Sequence, residues 1–167
     1  MIRVERIVRR GDLLALFAMV FLADVAIGIY RATISLFASS LGATLTMIGI
    51  LGSIEGLTVL LVAVPIGSLS DRVDRRTVLG GGLLLFALSY FLCSMVRNPV
   101  PLYPIRALIG VSVTSTFYLG LVLVSDIVEK PDQGLCIGIY TTCMGIGFAV
   151  GTAVGGRLAE DFGYSTG

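Results

Sequence analysis

Long apolar stretches alternate with short polar segments along the whole of this chain. Five stretches of about 20 residues or more contain few charges: residues 13–37, 47–69, 77–96, 102–125 and 134–158. A helix needs roughly 20 apolar residues to cross a bilayer, whereas a barrel strand alternates between apolar and polar positions. Unbroken runs of this length favour helices, because backbone groups in lipid must be satisfied internally. We therefore predict an all-α membrane protein with five transmembrane helices.

The composition supports a membrane protein and excludes several other classes. Of the 167 residues, 56% are hydrophobic and 14% are charged, with a mean hydropathy of +0.96; a soluble domain carries about 25% charged residues. Histidine is absent, and the three cysteines lie in apolar runs without metal-ligand spacing, so we interpret them as small buried hydrophobes. We expect no metal, no cofactor, no enzymatic activity and no nucleic-acid partner.

The basic residues predict which ends of the helices face the cytoplasm. With the N-terminus inside, two outer segments hold Arg97 and Arg157, and eight basic residues lie inside: Arg3, Arg6, Arg9, Arg10, Arg72, Arg75, Arg76 and Lys130. Cytoplasmic loops carry an excess of Lys and Arg. The N-terminus and the connection between the second and third helices are therefore predicted to be cytoplasmic.

That connection is the most charged part of the middle of the chain. From Gly67 to Leu79 it reads Gly-Ser-Leu-Ser-Asp-Arg-Val-Asp-Arg-Arg-Thr-Val-Leu. It resembles a pattern of the major facilitator superfamily of secondary transporters, Gly-x-Leu-small-Asp-Arg-x-Gly-Arg-Lys-x-x-Leu, which joins helices two and three of that family. Asp74 departs from it, because the family prefers glycine there.

The resemblance implies that this connection is part of a cytoplasmic latch between the two halves of a transporter. Asp71 is an acid on the side where bases prevail, so it can pair with nearby arginines or with a helix N-terminus. The alternative is a solvated positive-inside turn with no latch. The residues expected to form the gate are Gly67, Asp71, Arg72, Arg75, Arg76 and Asp126, the last at the start of a predicted polar loop over residues 126–133.

Two further motifs are similar to patterns of the same family. Arg106 and Gly110 in helix four resemble Leu-x-x-x-Arg-x-x-Gln-Gly, which implies a role for Arg106 in proton transfer; the alternative is an arginine that snorkels to the surface. In helix five the glycine spacing resembles an antiporter motif, but Thr152 stands where that motif has proline. The alternative is close helix packing through small residues, and the packing candidates are Gly110, Gly138, Gly147, Gly151 and Gly155.

Four charged residues lie inside the predicted helices: Asp24, Arg31, Glu55 and Arg106. Ionisable groups within a membrane are expensive and usually functional. Asp24 is predicted near the midplane, and counting residues from the helix ends suggests that the other three meet in the outer half. We expect the four to line a path for solute and proton, with structural ion pairing between helices as the alternative.

The resemblance covers nearly the whole chain but only five of the twelve helices that the family normally has. We therefore expect residues 1–167 to be part of an N-terminal domain, without a separate soluble domain. The implied function is secondary transport of a small solute by alternating access, proton-coupled, with efflux slightly favoured over uptake by a symporter. The expected partners are the solute, the proton, the cell membrane and a C-terminal half. The alternative of another class is a small, non-transporting structural or accessory membrane protein.

Overall fold

The computed structural model describes residues 11–161, which form five helices. These are α1 (Gly11–Ser40), α2 (Leu45–Arg72), α3 (Arg75–Ser94), α4 (Leu102–Ile127) and α5 (Lys130–Asp161). Each is long and apolar enough to cross a membrane. The predicted all-α architecture with five spans is confirmed. The four arginines of the basic N-terminal segment lie outside the described residues.

The polar connections are shorter than the sequence pattern predicts. Helix α2 continues to Arg72 and α3 begins at Arg75, so only Val73 and Asp74 separate them. The predicted loop over residues 126–133 is also wrong in extent, since α4 ends at Ile127 and α5 begins at Lys130. Charged residues do not break a helix, and a continued helix satisfies backbone groups that a loop would leave to water.

The connection between α1 and α2 has the capping residues expected of two helix ends. Gly42 has a φ of +85°, the left-handed conformation that commonly ends a helix and that glycine adopts without strain. Thr44 precedes α2, and its Oγ1 accepts a hydrogen bond of 3.3 Å from the backbone N–H of Met47. This side-chain cap fixes the start of α2.

The described helices group into two compact units, one of which comprises residues 37–119. In this unit α2 and α3 both pack against the first part of α4. A Cβ atom built on Gly82 of α3 would lie 2.6 Å from the Cβ of Ser115. Next to this contact, the rings of Phe86 and Phe117 meet edge to face with centroids 6.4 Å apart. The absent side chain at Gly82 is what allows α3 and α4 to approach so closely.

Helix α4 contains a π-helical turn over Thr114–Tyr118, which the sequence pattern did not predict. Around it, Ser112, Thr114 and Ser115 donate hydrogen bonds to carbonyl oxygens four residues earlier, at 2.8–2.9 Å. Such back-bonding disturbs a regular helix, and π turns recur at functional positions. The hydroxyl of Thr116 is fully buried and has no hydrogen-bond partner among residues 11–161.

The Gly82→Val variant is expected to lower the free energy of unfolding by about 1–3 kcal/mol, because valine would overlap Ser115 of α4. Gly81→Val is the matched control, since a Cβ at Gly81 meets nothing within 4 Å. Unfolding in mixed detergent–SDS micelles measures both variants. Equal midpoints for the two would contradict the close contact between α3 and α4.

The other compact unit comprises residues 11–36 and 120–161 of the described chain. Here α1 packs against α5, and a cluster of glycines lies at their contact. The side-chain amide of Gln133 donates a 2.7 Å hydrogen bond to the carbonyl oxygen of Ser125, which ties the start of α5 to the end of α4. The fully buried Tyr140 lies with its hydroxyl against Gly120 of α4.

Candidate functional site: charges and glycines within the helices

Asp24 is a buried acid on the side of α1 that faces α5. The residue is 6% exposed, and its Cβ lies 3.1 Å from a Cβ built on Gly147. Its Oδ2 is buried and has no hydrogen-bond partner among residues 11–161. The charged and titratable groups near enough to interact with it electrostatically are Arg31 of α1 and Tyr140 of α5. A buried polar atom without a partner is costly, so it is a candidate for binding something that the chain itself does not supply.

Arg31 follows Asp24 by two helical turns and also contacts α5. Its guanidinium carbon lies 6.0 Å from the ring centroid of Phe148, within the range of a cation–π interaction. Arg31 is exposed, whereas Asp24 is buried. The expectation that Arg31 meets Glu55 and Arg106 at one level stays a prediction, because Arg31 belongs to the other compact unit.

Glu55 and Arg106 are brought together as an ion pair between α2 and α4. A carboxylate oxygen of Glu55 accepts a hydrogen bond from Nη1 of Arg106, and each side chain is 8% exposed. One turn further along α4, a Cβ built on Gly110 would lie 2.8 Å from the Cβ of Thr58 and 2.9 Å from the backbone oxygen of Glu55. The ion pair therefore lies one helical turn from a close approach of the two helices.

The family-like motif between α2 and α3 is mostly helical and largely exposed. Oδ1 of Asp71 accepts a 3.2 Å hydrogen bond from Arg75 across the two-residue turn. Asp74 has a φ of −54°, so this turn does not require the glycine that the family prefers there. A Cβ built on Gly67 meets nothing within 4 Å among the described residues.

The remaining gate candidates lie at helix ends. Arg72 ends α2, and Arg76 lies in the first turn of α3. Asp126 is exposed in the last turn of α4. Their joint role in a latch stays a prediction.

Three of the helix-five glycines form a ladder of close contacts with α1. Cβ atoms built on Gly147, Gly151 and Gly155 would collide with the backbone of α1 at Phe21, Val25 and Ile29 respectively. Gly138 differs, because nothing lies within 4 Å of its Cβ position. Its predicted packing role is therefore not seen among the described residues, since Gly138 is exposed and lies nine residues before Gly147, on the opposite side of α5.

Sequence reasoning missed two residues of this region. Gly28 of α1 packs on α5, since its Cβ position lies 2.5 Å from the backbone oxygen of Phe148. Tyr140 lies close to Asp24. Both had a signal in the spacing: Gly28 is one turn after Asp24, and Tyr140 is seven residues before Gly147, on the same helix face.

These features define a multi-pass membrane protein whose buried charges lie at helix–helix contacts. The family model of the Major Facilitator Superfamily matches residues 16–167. The chain therefore belongs to the major facilitator superfamily, and both the predicted resemblance and the membrane location are confirmed.

Two of the individual relatives are named transporters, and a third is named a resistance protein. The riboflavin transporter RibZ of Clostridioides difficile is 33% identical over 98 residues, which cover 59% of this chain and 22% of the relative. The quinolone resistance protein NorA of Staphylococcus aureus is 24% identical over 149 residues, which cover 89% of this chain and 38% of the relative. An uncharacterized transporter of Buchnera aphidicola is 26% identical over 99 residues, which cover 59% of this chain and 24% of the relative. The chain thus spans between about a fifth and two-fifths of the length of these curated relatives.

Proposed function

We propose that this chain forms the first five helices of a longer secondary active transporter that moves a small solute by alternating access. Membership of the major facilitator superfamily over residues 16–167 supports this proposal. In this family each six-helix half is built from two inverted three-helix repeats, and the two halves rock around a central site. Helices α1–α3 would form one repeat, and α4 and α5 two-thirds of the next. The solute, the proton and the C-terminal half are its proposed partners.

The observation that carries the coupling proposal is the buried Oδ2 of Asp24, which has no hydrogen-bond partner among residues 11–161. A buried acid at mid-depth in a transmembrane helix can bind and release a proton as its surroundings open to either side. Arg31 and Tyr140 of the same unit interact with it electrostatically. We propose that Asp24 binds the coupling proton and that Arg31 lies on the same path.

The α2–α3 motif is proposed to act as the cytoplasmic latch. The Asp71–Arg75 pair is exposed, and exposed pairs of this kind contribute at most about 1 kcal/mol to stability. A role in contacting a partner segment accounts for the cluster better than a role in folding does. Gly67, Arg72, Arg76 and Asp126 complete the proposed latch.

Efflux is slightly favoured over uptake as the direction of transport. The helix-five glycines resemble an antiporter motif, and one relative is a quinolone resistance protein. Uptake by a symporter of the same family remains the first alternative, since another relative is a riboflavin transporter. A non-transporting accessory protein is the alternative of another class.

Transport by the full-length protein tests the proposal directly. Proteoliposomes with an imposed pH gradient would be assayed with a solute panel that includes riboflavin and a fluorescent quinolone. We expect flux of at least one solute that stops when a protonophore collapses the gradient. Solute flux opposite to the direction of proton flow indicates an antiporter, and solute flux in the same direction as proton flow indicates a symporter. Flux that persists unchanged after collapse would contradict proton coupling, and no flux of any solute by folded protein would favour the accessory alternative.

A further inference from the structure

We infer that the Glu55–Arg106 pair is a fixed, charge-neutral clamp that positions α2 against α4 and does not bind the transported proton. This differs from the role that the arginine motif implies, and it rests on how the two buried acids of the described helices are surrounded. Glu55 has an arginine from the neighbouring helix as its partner, whereas Oδ2 of Asp24 has no partner among residues 11–161.

The geometry of the α2–α4 contact supports a positioning role. Arg106 and Gly110 are four residues apart, so they share one face of α4. Glu55 supplies both its carboxylate to Arg106 and its backbone oxygen to the contact at Gly110, 2.9 Å from the Cβ position. The ion pair and the backbone contact are therefore parts of one helix crossing, and separating the two charges would require the helices themselves to move apart.

The α1–α5 contact has a similar arrangement, but the basic residue that interacts with its buried acid, Arg31, belongs to α1 itself and not to the partner helix. Asp24 is also followed four residues later by a glycine, Gly28, which packs on the backbone of the neighbouring helix. On α5 the residues next to Asp24 and Gly28 include Gly147, Phe148, Gly151 and Thr152, all uncharged, and the titratable group of α5 that interacts with Asp24 is Tyr140. At one crossing the buried acid is hydrogen-bonded to a base of the partner helix. At the other, the base is the exposed Arg31 two turns along the same helix, and Oδ2 of the acid has no hydrogen-bond partner among residues 11–161.

Burial explains why such a clamp positions the helices so strongly. Removing one member of a buried pair leaves an uncompensated charge, which is far more destabilising than removing both. A residue that binds the transported proton behaves differently, because its replacement impairs coupling even when the protein is well folded. The two roles are therefore separated by comparing single and double variants.

The test uses four variants of the full-length protein. Glu55→Gln and Arg106→Gln are each expected to lower the folded-to-unfolded ratio by at least about 100-fold in SDS titrations of mixed micelles. The double variant Glu55→Gln/Arg106→Gln is expected to recover to within about tenfold of the wild type, because the lost interactions are not additive. Glu55→Met/Arg106→Leu, which fills the site with apolar side chains, is expected to recover at least as well. The clamp is refuted if both doubles are no more stable than the weaker single variant.

The transport arm rests on the proposed function, whereas the stability arm does not. The better-folded double variant is expected to keep gradient-driven solute flux within about tenfold of wild type, with an unchanged pH profile. A double variant that is abundant and folded but has lost its response to the pH gradient would place Glu55 on the proton path and overturn the inference. If solute flux by the wild-type protein does not depend on the pH gradient, the proposed proton coupling is refuted. The stability measurements alone then decide whether Glu55 and Arg106 form the clamp.

Discussion

The Asp24→Asn variant is expected to lose pH-gradient-driven solute flux by at least about 100-fold, the loss typical of removing a positioned proton-transfer group. Asparagine has nearly the same shape as aspartate, but its side-chain amide cannot bind and release a proton as a carboxyl group does. The folded amount should not fall, because the carboxylate lost is buried and its Oδ2 has no partner among residues 11–161. Initial rates in proteoliposomes of the full-length protein, normalised to folded protein, measure the effect.

Two control variants test whether the loss of flux is specific to the carboxyl group at position 24. Asp24→Glu keeps a carboxyl group on the same helix face and is expected to retain gradient-dependent flux. Asp12→Asn removes an exposed acid from the first turn of the same helix and should leave the rate within about twofold of wild type. Wild-type flux with an unchanged response to a protonophore in Asp24→Asn would remove this residue from the coupling path.

The Gly151→Leu variant is expected to lose the folded state, with a fall in the free energy of unfolding of at least about 3 kcal/mol. A Cβ at this position would collide with the backbone oxygen of Val25, so α1 and α5 would have to separate. The loss of a monodisperse peak in size-exclusion chromatography and a lower midpoint in SDS titrations measure it.

Gly145→Leu is the matched control on the same helix, because nothing lies within 4 Å of its Cβ position. Leucine favours a helix by about 1 kcal/mol relative to glycine, so this control should fold at least as well as the wild type. A second control is Gly151→Leu/Val25→Ala. Since the obstructing atom belongs to the backbone of Val25, shortening its side chain should not restore folding. Normal folding of Gly151→Leu would show that the two helices do not meet at this glycine.

The glycine contacts bear on how the helix-five motif is interpreted. Gly147, Gly151 and Gly155 each lie against the backbone of α1, so close packing by itself accounts for their four-residue spacing. Thr152 takes the place of the motif's proline, and its hydroxyl donates a 2.8 Å hydrogen bond to the carbonyl oxygen of Phe148 within a continuous helix. Close packing accounts for these glycines under both efflux and uptake, so the flux assay is what distinguishes the two proposed directions.

The connection between α2 and α3 does not need the glycine that the family pattern has at position 74. The family's glycine is replaced by Asp74, and the negative φ of this residue shows that no left-handed conformation is needed. Asp74 instead lies at the N-cap position just before α3, and its backbone oxygen accepts a 2.9 Å hydrogen bond from the N–H of Thr77. The substitution is therefore compatible with a tight two-residue connection between the helices.

Sequence alone was sufficient for the number, order and approximate limits of the helices, and for the family. Each of these depends on local properties: the length of an apolar run, the residues that cap it, and a motif contained within 13 consecutive residues. The ends of α2 and α4 were misjudged because polar residues near an interface can stay helical. The π turn in α4 was missed because it has no periodic signal, although a cluster of serines and threonines marks its position.

Only the tertiary structure decided which buried charges have partners. Glu55 and Arg106 are 51 residues apart in the chain. Counting residues from the helix ends suggested that they lie at one level together with Arg31, but it did not indicate that these two form the pair or that Oδ2 of Asp24 has no hydrogen-bond partner among residues 11–161. The same holds for the glycines: Gly138 and Gly147 belong to the same family-like pattern, but of these two only Gly147 lies against another helix within residues 11–161. The physical reason is that hydropathy determines whether a segment enters the bilayer, whereas the pairing of charges and the contact of backbones depend on which helix faces are brought together by packing.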